Sequence, residues 1–184
     1  MRVLHEAAPA LSRLDLSMQI ERFYHQHARA VLRKEPPYQA VRIRRLNMVE
    51  RLDATAVVAF CSDFRCHVSL EELRIDGISL DTAAAMGAFV DACIVLRLRK
   101  LKIDNCRVAT AALPELTRLV SAGALRDLGV RCCGEIFDKT RESTRLFVAA
   151  VRASAMTRLQ LVGMGVLPDM VVRAAAAFIN ARSQ

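Results

Sequence analysis

The residue types that could do covalent or metal chemistry in this chain are its six cysteines and four histidines. Cys61, Cys66 and His67 form the run Cys-x4-Cys-His, offering the thiolate and imidazole donors that a zinc ion takes. Tetrahedral zinc needs four donors, usually as two close pairs, and no second pair at zinc spacing follows. Both cysteines are therefore read as structural thiols in or near a helix, where cysteine packs as a small apolar residue. Cys93 reads the same way, as a helix-core residue. Cys132 and Cys133 are adjacent, and neighbouring cysteines rarely pair, so one of the two is expected to face the core. His25 and His27 stand two apart, which puts them on different faces of a helix. No glycine-rich phosphate loop, Gly-x-Ser-x-Gly elbow or His-Glu-x-x-His motif occurs. The expectation is a chain that is not an enzyme and uses neither metal nor cofactor.

The remaining candidates are charged side chains, and their meaning depends on the elements that carry them. Six segments share an aliphatic spacing close to Leu-x-x-Leu-x-Leu. They are Leu11/Leu14/Leu16, Tyr38/Val41/Ile43, Leu70/Leu73/Ile75, Leu98/Leu101/Ile103, Leu125/Leu128/Val130 and Met156/Leu159/Leu161. Their middle residues recur at intervals of 27, 32, 28, 27 and 31 residues, the signature of one repeated supersecondary unit. Each segment alternates apolar and polar residues, which predicts a half-buried strand. Ala-rich stretches of helical spacing follow: 17–33, 53–64, 79–94, 110–122, 140–154 and one from Pro168 onward. Ser79, Thr110 and Thr140 are expected N-caps, and Gly123 is the expected C-cap.

Strand and helix thus alternate, which fits either a doubly wound α/β sheet or a single-sided solenoid. A doubly wound sheet needs strands apolar on both faces. These strands present Arg42, Arg44, Arg74, Asp76, Lys102 and Asp104 on one face, so the solenoid is the expectation. An aromatic content of only 5%, with no Trp, suits stacked aliphatic layers better than an aromatic-centred globule. The segments 98–108 (LRKLKIDNCRV), 70–80 (LEELRIDGISL) and 156–166 (MTRLQLVGMGV) resemble leucine-rich repeats of the long, ribonuclease-inhibitor type. In that family Asn or Cys and then an aliphatic residue follow the strand. Cys106 and Val108 stand at those positions, with Gly77 and Ile78, Cys133, and Met164 and Val166 as looser matches. The resemblance implies one domain over residues 1–184, a right-handed horseshoe. It would comprise about six strand–helix repeats, starting near 11, 38, 70, 98, 125 and 156, with a parallel sheet on the concave side.

In such an array the polar strand positions line up as columns about 5 Å apart from strand to strand. The candidate partner-binding residues are Arg42, Arg44, Arg74, Asp76, Lys100, Lys102, Asp104, Arg131 and Arg158. The net charge of +8 favours an acidic partner. Interspersed acids point to protein recognition before a uniform phosphate track. Three functions follow as expectations: a protein–protein interaction scaffold, a structural subunit of a larger assembly, or a binder of nucleic acid or an anionic surface. Ribonuclease inhibitors carry an acidic face for basic enzymes, so the basic character here argues against that activity. No run of about 18 apolar residues and no secretory leader is visible, and the cysteines are expected reduced, in the cytoplasm. Neither end shows a polar cap, so we also expect coverage by self-association, a larger complex or further sequence.

Overall fold

The computed structural model describes residues 15–21, 26–36, 38–108, 112–134, 141–163 and 171. A six-stranded sheet runs through it, formed by β1 (Asp15–Glu21), β2 (Arg42–Val49), β3 (Glu72–Asp76), β5 (Lys100–Asp104), β7 (Asp127–Arg131) and β8 (Arg158–Val162). All five pairings are parallel, and the spatial order of the strands is their order in the chain. Between them lie α1 (Gln26–Leu32), α2 (Ala54–Phe64), α3 (Ala83–Val95), α4 (Ala112–Ser121) and α5 (Arg141–Ala153). Every crossover advances one strand in the same direction, and crossovers share one hand, so the helices fall on one face of the sheet. Consecutive helices pack on each other from α2 to α5. The protein is an α/β fold with a parallel sheet.

Strand alternation accounts for the core. Leu73 and Ile75, Leu101 and Ile103, and Leu128 and Val130 point inward and are buried. They meet Phe60 and Phe64 of α2, Phe89 of α3, Leu113 and Leu116 of α4, and Phe147 of α5 in one cluster. Helix α3 is buried through Ala85, Met86, Phe89, Val90, Ala92 and Cys93, because α2 and α4 flank it on both sides. Asp53 caps α2 by accepting from the Ala56 amide at 2.8 Å. Thr82, rather than Ser79, caps α3, accepting from the Ala85 amide at 3.2 Å. Ser79 instead belongs to β4 (Ser79–Leu80), which pairs in parallel with β6 (Arg107–Val108) and buries Leu80. Gly123 ends α4 at φ +78°, as its position after the helical spacing predicts. Thr110, Thr140, the loop from 135 to 140, and the segments 1–14, 164–170 and 172–184 lie outside the described residues.

The first two repeats differ from the sequence reading. Residues 17–21, expected in a helix, belong to β1, and the described helix α1 covers Gln26–Leu32. The alternation of Leu16, Met18 and Ile20 has the period of a strand, and pairing with β2 satisfies its backbone. In the second repeat Leu46, not Val41, stands opposite Leu73, and Met48 stands opposite Ile75. The true anchor triplet is Ile43/Leu46/Met48, all buried. Leu46 pairs with Met18. The repeat starts are therefore displaced from 11 and 38 toward 15 and 43. Tyr38 belongs to a short 3-10 turn before the strand. Its burial, with that of Ile43, is what made the earlier frame look apolar.

Helix α1 is fastened to α2 by polar contacts. Asp63, buried in α2, accepts from Arg33 Nε at 2.6 Å and Arg29 Nε at 3.3 Å. His67, only 1% exposed, donates from Nε2 to the Val31 carbonyl at 3.2 Å, and its buried Nδ1 has no partner. Burial, with Lys34 nearby, lowers the pKa of the ring below its ordinary 6.5. The neutral ring is thus the native form, and the unfolded chain binds the proton more readily. Stability present above pH 6.5 should decline as the pH falls from 6.5 toward the folded-state value, then level off. Urea unfolding between about pH 7.5 and pH 5 should show that decline in the wild type and a flatter profile in His67→Gln. Truncation of the central layer by Leu101→Ala should cost about 2–5 kcal/mol in the same assay.

Candidate binding face of the sheet

The outward positions of β2, β3, β5, β7 and β8 form three columns across the sheet. The first contains Arg45, Glu72, Lys100, Asp127 and Arg158. The second contains Asn47, Arg74, Lys102, Gly129 and Gln160. The third contains Val49, Asp76, Asp104, Arg131 and Val162. Arg74, Asp76, Lys100, Lys102, Asp104, Arg131 and Arg158 thus share one face, as their spacing predicts. Arg42 and Arg44 do not join their expected columns. Arg42 stands opposite Asp15, outside the register of β2 with β3. Arg44 precedes that register and pairs with Glu71 at 3.1 Å, holding the Glu71 carboxyl below its usual range. Asn47 and Val49 take the places expected for Arg42 and Arg44, and Arg45 joins the first column beside Glu72. The signal for them was the spacing of Ile43, Leu46 and Met48, which restores a 27-residue interval from Leu46 to Leu73.

The charges in each column are arranged against one another. Down the first column the signs alternate, and Glu72 lies 3.2 Å from Arg45 Nε on one side and 3.6 Å from Lys100 Nζ on the other. Between the second and third columns, Arg74 Nε donates to Asp104 Oδ2 at 2.8 Å, and a second nitrogen lies 3.8 Å from Asp76. Asp76 also accepts from Asn105 Nδ2 at 3.0 Å. Asp104 is 4% exposed although it points to the solvent side, and its Oδ1 has no partner. Farther along, Arg131 donates to Gln160 Oε1 at 2.8 Å. A hollow of about 190 Å³ opens above β2, β3 and β5, lined by Arg45, Asn47, Glu72, Arg74, Lys100 and Lys102. Such a solvent-facing, mixed-sign strip can match the charges of a partner but holds no nucleophile beside a base.

The cysteines lie elsewhere. Cys106 and Cys133 follow β5 and β7 at equivalent places, buried beneath the sheet's edge. Each thiol donates to the carbonyl two residues back, at 3.2 Å to Asp104 and 3.1 Å to Arg131. A hydrogen bond with Cys133, together with burial, pushes the Cys106 thiol well up. Cys133 faces the core while Cys132 is exposed, as their adjacency predicts. Burial raises Cys61 to about 12 and takes Cys93 well above its ordinary value, so both are held as inert thiols. His67 turns to α1 and Cys66 is exposed, which separates the two members of that run. Among the described residues no group of three or more His, Cys, Asp or Glu converges as a metal site would require. Among them, too, no helix is long and apolar enough to cross a membrane.

No protein-family model matches the chain, and no curated protein matches its sequence.

The Arg74–Asp104 pair joins the face to the fold. Replacing Arg74 by Met should leave a buried carboxylate without its donor and cost about 1–3 kcal/mol. The double variant Arg74→Met/Asp104→Asn should recover part of that loss, and chemical unfolding of the three variants measures the coupling.

Proposed function

We propose that the chain is a leucine-rich repeat solenoid, a right-handed horseshoe of about six strand–helix units. We propose further that it acts as a non-catalytic scaffold binding a protein partner. The strands follow one another in chain order with helices on one face, and each polar strand position repeats at an equivalent place. One observation carries the functional reading: five successive strands place three registered columns, made up mostly of charged and polar side chains, on one face of the sheet. Basic residues dominate, but Glu72, Asp76, Asp104 and Asp127 lie among them. A protein surface with its own mixture of signs matches that pattern better than a polyphosphate backbone. The scarcity of aromatic residues also disfavours stacking on single-stranded nucleic acid. The partner surface is acidic overall, given the net charge of +8. All six cysteines are free, which suits a reducing, cytoplasmic setting.

Affinity capture from native lysate with mass spectrometry tests this reading, comparing the wild type with Lys102→Glu/Arg158→Glu. The expected outcome is a set of proteins retained by the wild type and lost by the variant. Their binding should fall by less than about a thousandfold between roughly 50 and 200 mM salt, the minimum loss for extensive phosphate contact. Partners held equally by both forms would place the interface on the helices or the ends. Recovery of nucleic acid with steep salt dependence would replace the protein reading.

A further inference from the structure

Within the face, the cations do not stand in equivalent states. Arg45 and Lys100 share Glu72, and Arg74 is engaged by Asp104 and Asp76. Arg131 is bonded to Gln160. Among the described residues, Lys102 and, at the far end of the first column, Arg158 have no carboxylate oxygen within 4.0 Å, and of the two only Lys102 lines the hollow. The cause lies in the register: its neighbours in the second column are Arg74 on β3 and Gly129 on β7. The first repeats the charge and the second contributes no side chain. The Lys102 stem covers Gly129, where an added Cβ would meet Lys102 Cγ at 3.5 Å, an ordinary contact. Gly129 has no left-handed backbone that would call for glycine. The hollow beside Lys102 is lined by the paired Arg45, Arg74 and Lys100, by Asn47, and by the single acid Glu72.

We infer that Lys102 and this hollow form the anchor subsite of the face, receiving one Asp or Glu carboxylate from an acidic segment of a protein partner. The inference rests on the protein-binding reading above and deepens it. The unpaired cation at the hollow calls for a negative charge. The nearby acids Glu72, Asp104 and Asp76 disfavour a dianionic phosphate monoester, and the titration below separates a carboxylate from the monoanionic phosphodiester of a nucleic acid. The carboxylate completes at Lys102 the pairing that Glu72 supplies to Lys100 and Asp104 to Arg74.

Three variants with the same change in net charge separate this site from diffuse attraction. Lys102→Met removes the cation. Gly129→Asp keeps it and places a resident carboxylate beside it. Arg152→Met removes an exposed cation from α5, outside the sheet. Hexaglutamate peptide and hexathymidylate are titrated into each form, with the Lys102 side-chain and β5 and β7 amide resonances followed by NMR. Hexaglutamate should shift Lys102. Its binding should weaken about tenfold or more in Lys102→Met and in Gly129→Asp, and less than about twofold in Arg152→Met. Equal weakening in all three, or binding that leaves Lys102 unshifted, overturns the subsite and leaves the scaffold reading in place. So does a captured protein partner that binds Gly129→Asp as tightly as wild type. Tighter binding of hexathymidylate at Lys102 overturns the carboxylate assignment and the protein reading together.

Discussion

The architecture hangs on the parallel backbone ladder between strands 27 or 28 residues apart. Leu46, Leu73, Leu101 and Leu128 stand directly opposite one another across β2, β3, β5 and β7. Parallel strands cannot be joined by a tight turn, so the chain must travel back through a helix before it can pair again. Once that return has constant length, the same residue of each unit lands on the same line. Inward leucines then stack on leucines and outward charges on charges. The ladder also extends past the strand starts: the amides of Lys100 and Asp127 and those just before them share one carbonyl of the preceding unit, Glu71 or Arg99. Neither the core nor the face could be assembled if one register slipped, since a one-residue shift would turn every inward side chain outward.

Much of this was readable from residue spacing. The anchors from Leu70 onward, the polar columns on β3, β5, β7 and β8, the cap at Gly123 and the division of labour between Cys132 and Cys133 all follow from short-range pattern. The failures share a cause. In repeat two, Tyr38, Val41 and Ile43 form a plausible apolar triplet, and only pairing with β3 shows that Ile43 is the first residue of the true triplet and not the last of this one. Around Ser17, alternation and helical spacing overlap within a few residues, and pairing with β2 decides between them. Burial of Asp104 was equally hidden, because it arises from the reach of Arg74 across to the next strand.

The charge pattern carries a further physical lesson. A basic face built from parallel columns at strand spacing would repel itself if every unit contributed the same sign. Here an acid is interposed beside nearly every cation, and the attraction so gained is set largely by geometry between neighbouring strands. Exposed pairs of this kind add little to stability individually. Their effect is to hold long side chains in defined places, so that cations without a counterion are distinguished from those around them.

Several described units turn their corners on left-handed residues, and those of β3 and β5 do so at both. One set, Gly77, Asn105, Cys132 and Gly163, directly follows β3, β5, β7 and β8. The other, Lys34, Arg97 and Gly123, lies just past α1, α3 and α4. Where such corners occur, they separate the strand from the helical connection that follows or precedes it. The interval from Leu128 to Leu159 is 31 residues instead of 27 or 28, yet the two leucines still stand opposite one another. Length changes are absorbed by the arc without reaching the strands. The two sides of the molecule can therefore diverge at different rates: the helical connections are free to lengthen or shorten, while the strands keep their register.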